Sequence, residues 1–286
     1  MTITTLLTQR QQGFRSPGTP PVRKNDQVPE ITPPESEPFE PEPSAGRVFE
    51  GSRRVRVTDA TAGGRLRLDG LARFLQDVAE DDVADTGWQA PYGWLLRRCA
   101  VAAGEYPRVT DDVTLRTFCS GTGPRWARRT TTVLSGGTAV MQAVALWVAV
   151  DLVTGQPCPL GDDFGRFYGE AAQRRVSARL ELPAPGGGAS ARDWPVRAAD
   201  FDVAGHVNNT VYWAAAEDVI DETKAAPPRR AVLEYHRPVL PADRPVLRTA
   251  VIAPSPDGPG RTDAWLTDET GEIRYASARL VAAEVP

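Results

Sequence analysis

The sequence predicts an α+β protein in which one unit, a strand followed by a long helix and an antiparallel meander, is written twice. Three observations support that expectation. Val55-Arg56-Val57-Thr58-Asp59 with Gly63-Gly64 lines up, given one gap, with Val196-Arg197-Ala198-Ala199-Asp200 and Gly205-His206. Each stretch precedes a run whose apolar residues recur at helical spacing. After each helical run come segments of strand character in the same order.

The first helix is expected over 68–85, with Leu71, Phe74, Leu75, Val78 and Val83 on one stripe. The second is expected over 208–222, with Val211, Tyr212, Ala215, Val219 and Ile220 forming the stripe. Strands are expected over 94–102, 113–119, 126–134 and 140–150, with Gly136-Gly137 as a hairpin turn. In the second copy they fall over 231–239, 246–252, 263–266 and 273–281. These patterns divide the chain into a tail over 1–45, a first repeat over 46–163, a linker over 164–193 and a second repeat over 194–286. The tail is crowded with proline and glutamate and offers no apolar face to bury, so it is expected to be disordered. The linker contains Pro183, Pro185 and Gly186-Gly187-Gly188.

Composition narrows the classes. The 286 residues are 41% hydrophobic and 24% charged, enough for a conventional core. A net charge of −4 argues against nucleic-acid binding. No apolar run reaches the ~18 to 20 residues of a membrane helix. The N-terminus lacks the apolar region of a secretory signal, so none is expected. Cys99, Cys119 and Cys158 are an odd number without metal-ligand spacing, which fits a reducing cytoplasm and implies no metal site.

Chemistry concentrates in Asp200-Phe201-Asp202-Val203-Ala204-Gly205-His206-Val207-Asn208-Asn209. Two carboxylates, an imidazole and two amides sit on a loop entering a helix. Asn208 or Asn209 can cap that helix, and unpaired N–H groups at its start suit an oxygen that gains negative charge. Asp202 and His206 are therefore the candidate catalytic pair, able to activate water without metal or cofactor. Asp200 has a counterpart in Asp59 and is expected to shape the turn. Arg65 stands where a first-repeat histidine would fall, which predicts one active site per chain.

The segment Asp200–Asn209 matches the D-x-D-x-x-G-H-V-N-N signature of hotdog thioesterases. From Val48 to Val281 the chain resembles the plant-type acyl-carrier-protein thioesterases and their bacterial relatives. The resemblance includes the helix FLQDVAEDDVADTGW, Glu105-Tyr106-Pro107 and Leu233-Glu234-Tyr235-x-Arg237. It implies a tandem (double) hotdog, each half a long helix wrapped by an antiparallel sheet. It also implies a cofactor-free hydrolase that acts on fatty acyl thioesters, acyl-acyl carrier protein first, and releases free fatty acid in the cytoplasm. A homodimer is one assembly open to it.

The sequence departs from the plant pattern in two places. The asparagine of the plant network is Ala204 here, and the later glutamate is Pro238. These changes move the chain toward hydroxybenzoyl-CoA-thioesterase-like enzymes, in which the second aspartate of Asp-x-Asp is the key carboxylate. Asn208, Asn209, Glu234 and His236 are the supporting candidates. Trp88, Trp94, Leu95, Phe118 and Trp147 could line an acyl slot, and Arg125, Arg128 and Arg129 could dock an acidic carrier. The alternatives are an acyl-CoA thioesterase, a hotdog hydratase or dehydratase, and an inactive hotdog binding module.

Overall fold

The computed structural model describes residues 40–169, 173–254 and 259–282. The described elements are β1 (Val48–Arg54), α1 (Leu68–Thr86), β2 (Gly93–Ala103), β3 (Asp112–Thr122), β4 (Trp126–Ser135), β5 (Thr138–Val150), α2 (Asp163–Tyr168), β6 (Ser190–Asp193), α3 (Val211–Glu222), β7 (Arg230–Tyr235), β8 (Val246–Ile252), β9 (Arg261–Thr267) and β10 (Arg274–Val281). The ten strands form one antiparallel sheet in the order β1-β3-β4-β5-β2-β7-β10-β9-β8-β6. Outward from the β2–β7 seam, the two halves repeat the same order. The seam pairs Arg98 with Glu234 and Ala102 with Arg230, running antiparallel. Two copies of one unit are thus related by an approximate two-fold axis through the seam.

Helices α1 and α3 pack against each other. The core runs across both halves, joining Leu68, Leu71, Phe74 and Val78 to Tyr212, Trp213, Val219 and Ile220. Val78 and Val219 have no exposed surface. Full burial of a large apolar side chain stabilises by about 1.5–3 kcal/mol, so this shared core resists separation of the halves. The hairpin at Gly136-Gly137 has positive φ at both residues, 55° and 83°, as the turn between β4 and β5 requires.

Several boundaries differ from the sequence expectation. α3 begins at Val211 rather than 208, because Asn208–Thr210 form a separate turn ahead of it. β7 stops at Tyr235 rather than 239: the His236 and Arg237 N–H groups both turn to the Tyr275 carbonyl, and Pro238 has none to donate. α2 follows the first repeat directly, and its Phe164 and Tyr168 are buried with Tyr92 and Leu160.

The expected linker is tied to the sheet along its path. Val176 N–H donates to Thr122 O, the Trp126 Nε1–H to Val176 O and the Trp265 Nε1–H to Pro183 O. Its last residues form β6, which pairs with β8. The tail expected to be disordered lies outside the described residues as far as 39, but its end does not hang free. The Glu40 carboxylate takes Arg128, Arg174 at 3.3 Å and the Thr130 hydroxyl at 2.8 Å, while its backbone exchanges two hydrogen bonds with Gln142.

Candidate active site

The site begins with a turn built twice. In the first half Thr61 N–H donates to Arg65 O and Gly64 N–H to Thr61 O, both at 2.8 Å. In the second half Asp202 N–H donates to His206 O and Gly205 N–H to Asp202 O, both at 2.9 Å. Gly64 and Gly205 hold matching left-handed φ values of 82° and 79°, which a β-carbon would strain. Upstream, Asp59 and Asp200 play one role: each buried carboxylate accepts the backbone N–H three residues back, at 3.0 and 2.7 Å. With identical scaffolding, the difference between the turns is chemical. Thr61 and Arg65 stand in one, Asp202 and His206 in the other.

Asp202 is half-buried and its Oδ1 accepts the Ala204 N–H at 2.9 Å, which fixes the carboxylate on the turn. His206 is half-buried four residues on. The chain then enters α3 through Asn208, whose side-chain oxygen accepts both the N–H and the hydroxyl of Thr210 at 2.9 Å. Asn208 therefore caps the turn ahead of the helix. Tyr235, which sequence reasoning passed over, donates its hydroxyl to Asn209 O at 3.1 Å and clamps this entry to the sheet.

Asn209 and Thr210 border a cleft that runs between α1 and the first-half sheet. Its other walls include Ala72, Leu75, Leu96, Ala143, Ala145 and Trp147. Asp202 and His206 stand on the turn directly preceding this entry. Of the residues expected to line an acyl slot, Trp147 borders this cleft. Trp88 and Trp94 instead pack with Tyr92 and Phe164 in a separate aromatic cluster, Phe118 is core, and Leu95 is exposed. Cys99 also borders the cleft, but burial pushes its thiol up to about 12, so it holds no thiolate at neutral pH.

Glu234 does not join the pair. Tyr235 points to the start of α3, so its neighbour Glu234 must project from the opposite face of the strand. There it is fully buried and accepts the Glu181 and Leu182 N–H groups at 2.6 and 3.1 Å, anchoring the linker. His236 lies just beyond the strand with Nε2 3.0 Å from Ser277 Oγ. Burial pushes its pKa down to about 4, and the positive charges of Arg274 and Arg97 add to the effect. The ring is thus neutral when folded yet free to charge when unfolded, where the ordinary value is about 6.5. Its contribution is present above that value and lost as pH falls from about 6.5 toward 4. We expect melting temperature to drop across that window, by the equivalent of no more than about 2 kcal/mol once solvent screening of a part-exposed ring is allowed for. His236→Asn should flatten the drop; an unchanged pH slope in thermal melts would refute this role.

The arginines expected to dock a carrier divide. Arg125 is exposed. Arg128 is held by Glu40 and bonds Ser120 Oγ at 3.0 Å. Arg129 is turned inward onto Asp82 at 2.7 Å and stacks over Tyr168. Burial opposes its charge, but Asp82 beside it outweighs that and raises the guanidinium pKa. Neither Arg128 nor Arg129 presents a free charge to a carrier, because each neutralises a carboxylate of its own chain. Sequence reasoning also missed the Arg65–Glu217 pair, with contacts at 2.6 and 3.1 Å. It fills the first-half counterpart of the Asp202–His206 turn. Among the described residues no group of three or more His, Cys, Asp or Glu side chains converges to hold a metal ion, and no helix is long and apolar enough to cross a membrane.

The chain matches the acyl-ACP thioesterase N-terminal domain over residues 46–168 and the corresponding C-terminal domain over 187–247. An uncharacterised protein of Mycobacterium tuberculosis, known from two strains, is 28% identical over 200 residues, which is 69% of this chain and 80% of that protein. The 12:0-ACP thioesterase from Umbellularia californica superposes with a TM-score of 0.70 at 21% identity, covering 82% of this chain and 93% of that one. An acyl-ACP thioesterase from Bacteroides thetaiotaomicron gives 0.68 at 16% identity over 82% and 97% of the two chains. At such identities the structures establish a shared fold, the tandem hotdog expected from the repeat.

Proposed function

This chain belongs to the acyl-ACP thioesterase family and is a thioester hydrolase; from that premise we propose that it cleaves fatty acyl-acyl carrier protein at the entry to α3, releasing the free fatty acid. The observation that carries the placement is the pair of matching turns: one holds Asp202 and His206 and leads into Asn209 and Thr210, which border a cleft, and the other is filled by Arg65 and Glu217. Asp202 is the general base. With Oδ1 engaged by the Ala204 N–H, Oδ2 accepts a proton as water attacks the thioester carbonyl carbon. The N–H groups at the start of α3, Asn209 foremost, meet the negative charge that develops on the carbonyl oxygen. When the C–S bond breaks, His206 gives a ring proton to the departing sulfur and recovers one from Asp202. The acyl chain occupies the cleft between α1 and the first-half sheet, which the entry to α3 borders. Neutral Cys99 takes no part.

Arg125 is the residue of the three candidate arginines left to meet an acidic carrier, as a rim contact that steers association and is screened by salt. Three free cysteines suit the cytoplasm. The deciding experiment offers one purified sample palmitoyl-carrier-protein, palmitoyl-CoA and crotonyl-CoA. Fatty acid release with the higher kcat/KM on the carrier protein is expected. Preference for the CoA ester would make this an acyl-CoA thioesterase; hydration of crotonyl-CoA, or no turnover of any substrate, would overturn the reading.

A further inference from the structure

The two-fold relation carries a second comparison, between residues on facing helices. Thr61, Arg65, Leu68 and Gln76 precede Asp202, His206, Asn209 and Glu217 at one constant offset along the chain. In the first half, Glu217 reaches across from α3 to the start of α1. Its Oε1 accepts the Leu68 N–H at 2.6 Å, and its Oε2 holds Arg65 at 2.6 Å. The carboxylate thus occupies both features that form the site in the other half, the helix-entry N–H and the side chain at the end of the turn. Arg65 also stacks over Tyr106, with its guanidinium carbon 4.9 Å from the ring centroid, which closes the place further.

The same axis carries Gln76 of α1 to the corresponding place opposite Asn209 and His206. Gln76 is half-buried and borders the cleft together with Asn209 and Thr210, as the relation requires. Its Nε2 donates to Glu80 Oε1 at 3.2 Å, one turn further along α1. An amide stands where the filled half has a carboxylate. A carboxylate there would be drawn onto the helix-entry N–H groups and the imidazole, as Glu217 is drawn onto Leu68 and Arg65. An amide carries no charge and leaves those groups for substrate.

Resting on the site proposed above, we propose that Gln76 is a further catalytic residue, contributed by the half that lacks the catalytic turn. With Nε2 held by Glu80, its Oε1 accepts one hydrogen of the attacking water while Asp202 accepts the other. The water is thereby aimed at the carbonyl carbon from the side of α1. The pair Gln76 and Glu217 also explains why the two-fold fold keeps one site: the same position, amide on one helix and carboxylate on the other, leaves one entry open and closes the other.

The test uses the full chain with two substitutions, Gln76→Leu and Gln76→Glu, assayed on acyl-carrier-protein with melting temperature measured in parallel. Gln76→Leu removes the water contact at similar size and is expected to lower kcat by ~10 to 100-fold with KM kept. Gln76→Glu should lower kcat by at least ~100-fold, the scale for loss of an oxyanion contact. Its melting temperature should change little, because attraction of the new carboxylate to the positive pole of α3 offsets its repulsion from Glu80 one turn along α1. A merely structural glutamine would move kcat and melting temperature together. Activity of both variants within about three-fold of the parent, with Asp202→Asn inactive in the same assay, would overturn the role of Gln76 and leave the site standing. If Asp202→Asn is itself active, the site reading is what fails.

Discussion

Asp202→Asn is expected to lower kcat/KM on acyl thioesters by at least ~100-fold while the protein melts at the parental temperature, and His206→Ala to do the same. The asparagine keeps a side-chain oxygen to accept the Ala204 N–H, so the turn survives, but it cannot take a proton from water. The two residues share one proton path, so the double variant should be little worse than either alone. Thr61→Ala is the matched control. Thr61 occupies the Asp202 position of the first turn and its hydroxyl accepts the Arg65 N–H at 3.2 Å. The Arg65–Glu217 pair fills that half, so the chemical step should be unchanged. Single-turnover hydrolysis of acyl-carrier-protein separates chemistry from binding. Near-parental rates for folded Asp202→Asn would remove this mechanism.

Asp82→Ala should produce the largest loss of stability, about 3–5 kcal/mol. Asp82 is 1% exposed and sits between two arginines, with Arg47 Nε at 2.6 Å and Arg129 Nη1 at 2.7 Å. The Tyr168 hydroxyl donates to its Oδ2 at 3.3 Å. Removing the carboxylate strands the Arg129 guanidinium inside the protein, and that uncompensated charge, more than the lost attraction, sets the cost. Replacing both partners, Asp82→Leu with Arg129→Leu, removes the stranded charge and should recover much of the loss. Urea unfolding of the single and double variants measures this. A single variant within about 1 kcal/mol of the parent would show that water reaches Arg129 when Asp82 is gone. Arg129 also borders the cleft, so the double variant should change the preferred acyl length as well.

What was legible in the sequence was local. The helix over Leu68–Thr86 was foreseen almost to its ends because its stripe of Leu71, Phe74 and Val78 is the stripe that is buried. The repeat announced the two-fold fold, and the run from Asp200 to Asn209 announced a hydrogen-bonded turn before a helix, because hydrogen bonds between residues three or four apart depend on neighbours in the chain. The period of a strand tells which residues share a face, so the adjacent Glu234 and Tyr235 must lie on opposite ones. It does not tell which face looks at the site, and here the face with Glu234 holds the linker. Arg128 and Arg129 read as surface charge because the carboxylates that claim them, Glu40 and Asp82, are remote in sequence. The closing of the first half depended on Glu217, 152 residues from Arg65. Which charges find each other, which of two equal turns stays open and where the cleft falls are settled by long-range packing. The tertiary structure alone decided those, since desolvating a charge is so costly that its partner is whichever opposite group the fold delivers.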